Sequence, residues 1–478
     1  MLLRIAYYLF LPLLVGAQQS LQQAINNFAG TQELRNAVVA VDVRDVATGQ
    51  QIAGYRPEMS VIPASTQKLL TTAVALDVLG EDYRFVTKLV AGGAVENGVL
   101  RGNLYIVGGG DPTLGSPFME GVAKLETVIN DWVTAAQKAG IRRITGAVVG
   151  DGSYYGSDGA GSSWPWADLG NYYGAGTYGL NINENSYYLS FSQRQREGST
   201  PPVIGTDPVV PGLEFINELE SGPRGSGDQA YIFGAPFNYR QFVRGSIPVG
   251  TGRFRIRGSL PDPPLLAAQL LNEALEAAGI EVVQPPTTQR ELGTGTGERG
   301  AVLHRRQSPP LALIVDRTNL TSNNLYAETR LREINRRLGN KNLADTEAIA
   351  DWLEGHGIAT DGLELQDGSG LSPRNFFPPA VMTAFLVDRA GERRFRESIP
   401  LAGRTGSLKN NFRGTAAEGR VWGKSGTVKA VRAYAGYVER PDGRRLAYSI
   451  AVNNHTLSGR QINRLIYGLM GEMVGVGL

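Results

Sequence analysis

At 478 residues and 42% hydrophobic, the chain is long enough for two or three domains, because single cores seldom grow past about 250 residues. Its 47 Lys and Arg against 45 Asp and Glu leave a formal charge of +2 with no long basic run, so neither nucleic acid nor an anionic membrane surface is implied as a partner. Cysteine is absent, which excludes disulfides, thiolate metal sites and a lipid-bearing cysteine anchor.

The N-terminus, MLLRIAYYLFLPLLVGAQQS, sets Arg4 before an apolar stretch from Ile5 to Val15 and small residues before Gln18. This is the layout of a secretory signal cut after Ala17, with an uncleaved anchor as the alternative. The stretch is short for a membrane span, and export without disulfides suits a bacterial periplasm. Ala37 to Val43 reads as a buried strand and Gln51 to Ala53 as a second. PASTQKLLTTA, residues 63–73, opens a helix: Pro63 suits the first turn, Leu69, Ala73 and Leu76 recur on one face, and Gly80 ends it.

From about Arg84 short strands and glycine turns take over, marking a β-rich module. A helix from about Val122 to Ala139 stops at Gly140, the strand AVVGD reaches Asp151, and residues 157–185 form an aromatic, glycine-rich loop. Residues 190–260 read as further short strands, Leu265 to Ala278 as a helix ended by Gly279, and Thr287 to Gly300 as a polar linker. Helical periodicity dominates Leu311 to Leu353, followed by the loop QDGSGLSP and a helix near Pro378 to Arg389. A hairpin turns at Pro441–Gly443, and an amphipathic helix, Gln461 to Met473, is expected to pack on its sheet.

Several patterns lead nowhere. GTGERG at 295–300 satisfies G-x-G-x-x-G but sits in the polar linker with no strand before it, and GGGDPTL at 108–114 lacks the lysine of a phosphate loop. The three histidines, His304, His356 and His455, supply neither an H-E-x-x-H zinc pair nor a well-founded serine triad. A serine nucleophile therefore needs another proton acceptor. On a helix, Ser65 and Lys68 share a face. Lysine, with an ordinary pKa of about 10.4, becomes a base only if burial or a nearby positive charge lowers it. Taken alone, S-x-x-K reads more readily as a capping serine and a lysine whose stem lies along the surface.

Two distant segments change that reading. TNLTSNNLYAE, 318–328, gives Ser322-x-Asn324 entering a helix, and VWGKSGTV, 421–428, gives Lys424-Ser425-Gly426 on a strand beside the hairpin. The order S-x-x-K, S-x-N, K-[ST]-G is that of penicillin-interacting serine enzymes and class A β-lactamases. Ser65 and Ser322 are 257 positions apart (322 − 65), Ser322 and Lys424 only 102 (424 − 322). The first gap is too long for a simple connection, so an inserted domain splits the catalytic fold. From about Leu34 to Asn454 the chain resembles the peptidase S13 family, the penicillin-binding protein 4 type of D-alanyl-D-alanine carboxypeptidase and endopeptidase. GNLYIVGGGDPTL, GDGSYY, WPWADL, SNNLYAE, DGSGLSP and GKSGTV carry the resemblance. Asn323 stands where the family usually has aspartate, and Ser425 where threonine is commoner.

The resemblance implies an α/β (α+β) fold of the serine β-lactamase/penicillin-binding transpeptidase type, an antiparallel sheet with flanking helices split by a β-rich insert. Residues 18–83 and 298–478 would form the catalytic domain, 84–190 and 256–297 an inserted domain, and 191–255 a domain nested within it. It also implies that Ser65 attacks the penultimate D-alanine carbonyl of a peptidoglycan stem peptide, Lys68 takes its proton, and Ser322 protonates the departing amine. Lys424 would support Ser322 and keep Lys68 partly neutral. Asn324 would bind the substrate amide, and Ser425, Gly426 and Thr427 the terminal carboxylate and oxyanion. Asp151, with the Trp164/Trp166 loop, would lie near the acceptor or stem side chain, a surface or turn-capping aspartate being the alternative. β-Lactams would acylate the same serine, and no metal or organic cofactor is required. A β-lactamase or esterase of the same fold, and a non-catalytic wall-binding or β-lactam-sensing protein, are the rival readings.

Overall fold

The computed structural model describes residues 20–156, 158–293 and 300–475. The expected signal at 1–17, and all but the last residue of the GTGERG pattern, lie outside them. The chain forms two compact units. One takes the described residues through Gly80, Val315–Asn323 and those from Ile334 onward, and the other takes Glu81–Ile314 and Asn324–Glu333.

The first unit is built on a five-stranded sheet. Its strands are β1 (Val38–Asp45), β2 (Gln51–Tyr55), β3 (Val421–Val428), β4 (Val431–Glu439) and β5 (Arg445–Asn453), in the order β3-β4-β5-β1-β2 with all neighbours antiparallel. Strand side chains alternate between faces. Val39, Val41 and Val43 of β1 therefore join Tyr448, Ile450 and Val452 of β5 in one core, closed by Leu21 and Ile25 of a helix over 20–29 (α1) and by Ile462, Leu469 and Met473 of the last helix, Gly459–Val474. On the opposite face Ala40, Ala433 and Ala451 form a smaller cluster with Val61. Small residues there leave room for the backbone of what lies above. β5 is buried at eight successive positions, as expected for a strand covered on both faces. The last helix packs on the sheet as its periodicity predicted, and Ser458 caps it by accepting the Gln461 N–H.

PASTQKLLTTA folds as a 3₁₀ turn, Ala64–Gln67, running into α2 (Lys68–Leu79), which ends at Gly80 with φ 86°. Neither segment has a side-chain cap. Eight successive residues of α2, Lys68 to Ala75, are buried. The expected run of helix from 311 to 353 is three helices, Leu311–Thr321, Asn324–Leu338 and Glu347–Gly355. The first break falls at Ser322, whose φ of 60° lies where a non-glycine residue is uncommon and worth functional scrutiny.

The second unit contains the β-rich sequence. A five-stranded sheet includes Val86–Ala91, Leu104–Val107, Val148–Asp151, Thr287–Thr288 and Ala301–Gln307. Two three-stranded sheets follow, one of Ser186–Ser192, Val203–Asp207 and Arg253–Ser259, the other of Glu214–Gly222, Gln229–Phe233 and Arg240–Pro248. One hydrophobic cluster runs from Leu89 through Trp132, Phe191, Val243 and Leu271. The 287–300 stretch is also less of a linker than its polarity suggested. Thr287–Thr288 pair with Val149–Gly150, and Gln289–Leu292 is a short helix. The following strand, Ala301–Gln307, pairs with Val86–Ala91, and this unit runs on to Ile314. An edge strand exposes one face and needs polar residues there, which is why AVLHRRQ did not register as sheet. Among the described residues, no helix is long and apolar enough to cross a membrane.

Candidate active site

Ser65 lies in the 3₁₀ turn and Lys68 begins α2, one turn later on the same side. Lys68 Nζ donates to Ser65 Oγ at 2.8 Å and to the Ser369 carbonyl at 2.6 Å. Ser65 therefore serves as partner to Lys68 and not as a helix cap. The Lys68 side chain is fully buried and Ser65 is half-buried, so the hydroxyl stays accessible above an amine shielded from water.

A second pair has the same form. Lys424, on edge strand β3, donates to Ser322 Oγ at 2.8 Å and to the Ser425 carbonyl at 2.8 Å. It too is fully buried. Desolvation, and then the charge of Lys68, push its pKa well below the ordinary lysine value. Both effects disfavour the ammonium. That Lys68 acts on Lys424 electrostatically places the two amines in one site.

The edge strand meets the Ser65 turn at Gly426. A Cβ there would stand 2.5 Å from the Pro63 carbonyl oxygen, 3.0 Å from Ser65 N and 3.1 Å from Thr66 N. Only glycine lets β3 come this close to the nucleophile's backbone. Beside it, Ser425 Oγ donates to Ser407 Oγ at 3.2 Å, and the Arg432 guanidinium donates to Thr427 Oγ1 across the β3–β4 register. Thr427 is exposed.

The DGSGLSP loop contributes more than its sequence suggested. Asp367 Oδ1 accepts from Gly370 N at 2.7 Å and from Asn375 Nδ2 at 3.0 Å, while Oδ2 accepts from Ser372 N at 2.6 Å. This carboxylate folds the loop into a cradle whose backbone is read by the helix. The Thr71 hydroxyl donates to the Gly368 carbonyl at 2.7 Å, Gln67 Nε2 donates to the Asp367 carbonyl, and Lys68 donates to Ser369. Gly370 has φ 77°, and a Cβ on it would fall 2.0 Å from the Ala64 carbonyl oxygen. Sequence reasoning noticed the loop but assigned no role to Asp367 or Ser369, and it had no signal at all for Ser407 or Arg432.

Of the expected site residues, the first unit thus brings together Ser65, Lys68, Ser322, Lys424, Ser425, Gly426 and Thr427. Asn324 and Asp151 belong to the second. Asn324 begins the helix after Ser322, and its Nδ2 donates to the Tyr173 carbonyl at 2.7 Å. Asp151 ends a strand, is 1% exposed, and accepts the Ser153 N–H at 2.9 Å. That is the turn-capping alternative. Trp164 is buried, whereas Trp166 is half-exposed against Phe233 at 4.9 Å between ring centroids.

Two buried lysines, each bonded to a serine hydroxyl and one of them on the antiparallel edge strand, define a serine acyl-transfer enzyme of the penicillin-binding fold. The sequence profile of the D-Ala-D-Ala carboxypeptidase 3 (S13) family matches residues 21–471. A D-alanyl-D-alanine carboxypeptidase of Actinomadura sp. (strain R39) is 30% identical over 458 residues, covering 91% of this chain and 81% of the relative. The carboxypeptidase DacB of Haemophilus influenzae is 25% identical, covering 89% and 88%. The crystal structure of penicillin-binding protein 4 from that organism superposes with a TM-score of 0.80 at 23% identity, over 94% of this chain and 99% of the other. The chain belongs to the D-Ala-D-Ala carboxypeptidase 3 (S13) family, and it is a serine-type carboxypeptidase of the penicillin-binding fold.

Proposed function

We propose that the protein cleaves the terminal D-Ala-D-Ala bond of peptidoglycan stem peptides through an acyl-enzyme on Ser65. The observation that carries this reading is the pair of buried serine–lysine contacts, Lys68 to Ser65 and Lys424 to Ser322, each 2.8 Å. With its amine neutral, Lys68 accepts the Ser65 proton as Oγ bonds to the penultimate D-alanine carbonyl carbon. The resulting oxyanion lies against the backbone N–H groups of Ser65 and Thr427, where one such donor is worth roughly 2.7–4 kcal/mol. As the C–N bond breaks, Ser322, held in position by Lys424, gives its proton to the departing D-alanine nitrogen and takes the proton held by Lys68 in its place, which returns Lys68 to the neutral amine. Water then attacks the ester, its proton passes to the neutral Lys68, and Lys68 gives that proton to Ser65 Oγ as the acyl–oxygen bond breaks.

The terminal carboxylate lies along β3, met by the hydroxyls of Ser425 and Thr427 and by the positive charge of Arg432. Because Asn324 Nδ2 is engaged by Tyr173, its Oδ1 is the atom that accepts a substrate amide N–H. Asp151 is left out of this set: it is buried, and its carboxylate already binds a turn. β-Lactams present a carbonyl and a carboxylate in the same relation and acylate Ser65; a solved relative of the fold is a β-lactam complex. Cleavage of cross-links as an endopeptidase uses the same chemistry on a larger leaving group. The substrate and the signal-like sequence pattern of residues 1–17 support a periplasmic location.

The test is to incubate the mature protein with a fluorescent penicillin and with a pentapeptide ending in D-Ala-D-Ala, and to repeat both with Ser65→Ala. Stable labelling and D-alanine release, both lost in the variant, are expected. Rapid lactam turnover without D-alanine release would identify a β-lactamase instead, and absence of both label and turnover would refute the acyl-enzyme.

A further inference from the structure

The second unit holds a cleft of about 570 Å³, well within the range of about 300–1,000 Å³ typical of ligand sites. Its floor is apolar, with Ile129 from the helix Leu125–Lys138 and Ala274 from the helix Pro263–Ala277, and its wall is aromatic, with Phe118 and Tyr188. Its rim carries Asn130, Glu126 and Glu273, all exposed. Phe118 and Tyr188 stand edge to face at 6.4 Å.

The wall is fixed by two arginines. Arg255 Cζ lies 3.9 Å from the Tyr188 ring centroid and its guanidinium pairs with Asp207 at 2.8 Å. Arg257 Cζ lies 4.2 Å from the centroid of Phe118 and also 4.2 Å from that of Tyr172. A ladder of rings and guanidinium groups therefore runs from the cleft to Tyr172. The next residue, Tyr173, supplies the carbonyl that binds Asn324 Nδ2 at 2.7 Å. Rings held this way lose little freedom when a ligand arrives.

The lining narrows the ligand. Glu126 and Glu273 outnumber Lys124 on the lining and disfavour an anion, and these charged groups with Asn130 disfavour a wholly apolar guest, whose binding would strip them of water. A pyranose ring satisfies both halves, since its C–H face covers an aromatic or aliphatic floor while its hydroxyls and acetamido group meet amide and carboxylate side chains. Stem peptides are carried on a chain of N-acetylated amino sugars, and the ladder leads from the cleft to Asn324, which the proposed function sets on the stem peptide. We propose that this cleft binds the N-acetylated amino-sugar backbone of the wall polymer while the peptide is cleaved. The continuity with Asn324 rests on the proposed function; the sugar-binding chemistry does not.

The experiment uses the whole protein and a tetramer of N-acetylglucosamine as probe. Saturation-transfer NMR is expected to light the N-acetyl methyl and ring protons of the sugar, and Ala274→Trp, which fills the cleft from the helix side, is expected to abolish the transfer. Tyr188→Ala should weaken it, and Ala274→Trp keeps the test intact should that variant fold poorly. In kinetics, both variants should release D-alanine from a free pentapeptide at the wild-type rate, while KM for pentapeptide linked to glycan rises roughly three- to tenfold. No transfer to the wild type, or transfer unchanged by Ala274→Trp, overturns the assignment. A wild type that releases no D-alanine from the free peptide overturns the proposed function instead, and the sugar measurement, which needs no turnover, still decides the cleft.

Discussion

Replacing Lys424 by methionine separates what its buried amine does for catalysis from what it costs the fold. Methionine fills a similar volume without charge. The amine donates to Ser322 and to the Ser425 carbonyl, so its loss leaves a buried carbonyl without this donor, a cost of about 1–3 kcal/mol that does not vary with pH. Against this stands the ionisation term. The pKa of Lys424 in the folded protein lies well below the ordinary lysine value because of desolvation and then Lys68. Between the folded and unfolded pKa values the unfolded chain binds more protons, so native stability rises with pH there by about 1.4 kcal/mol per unit, however deep the depression. The penalty is full below the folded pKa and relieved as pH approaches about 10.4. Lys424→Met carries no such term. Its stability relative to wild type is therefore expected to fall by about 1 kcal/mol from pH 9 to pH 10, or about 2–4 °C in Tm for a cooperative unit of 150–250 residues. The buried tyrosines titrate alike in both proteins and cancel from the difference. Acylation by a fluorescent penicillin should drop by about 10²–10⁴, the usual worth of a positioned proton-transfer group. A stability difference that is flat across this pH range, or a variant acylated within threefold of wild type, would refute the reasoning.

Gly426→Ala forces a Cβ to 2.5 Å from a backbone oxygen and 3.0 Å from Ser65 N; since backbone cannot swing aside, acylation should fall by at least about 10², the usual loss when reacting groups are displaced by about 1 Å, and a near-normal acylation rate would contradict the close approach. Asp367→Ala removes the acceptor of two buried loop N–H groups and should destabilise the protein by about 2–4 kcal/mol in urea titrations, with slower acylation because the Ser369 carbonyl no longer holds Lys68. Asp111 accepts from Thr113 N and Oγ1 through one oxygen, and burial pushes its carboxyl up to about 6. With the folded pKa raised, the native state binds more protons between about 4 and 6, so this carboxyl costs stability progressively through that window and by a constant amount above it. Asp111→Asn keeps the accepting oxygen, and its stability relative to wild type should climb from pH 4 to pH 6 and then level off; a flat difference would rule the shift out.

The sequence by itself determined the three motifs, their order and the split caused by the insert, because S-x-x-K, S-x-N and K-S-G are local patterns and a 257-residue gap is a count. It also determined α2, the C-terminal hairpin and the last helix, each marked by strong periodicity or turn chemistry. The S-x-x-K stretch alone read more readily as a cap, and the other two motifs turned Ser65 into the expected nucleophile. The folded chain adds the geometry: the Ser65 hydroxyl accepts from Lys68 Nζ, and neither the turn nor the helix has a side-chain cap. Tertiary structure alone brought the Asp367 loop beneath Lys68 across 301 positions and put Arg432 against Thr427 through strand register. It also set Asp151 against the Ser153 N–H and paired the polar strand 301–307 with Val86–Ala91. The physical reason is the same in each case: a carbonyl or a register partner has no side-chain signature. Whether a polar residue is an edge, a cap or a ligand depends on what the rest of the chain places beside it.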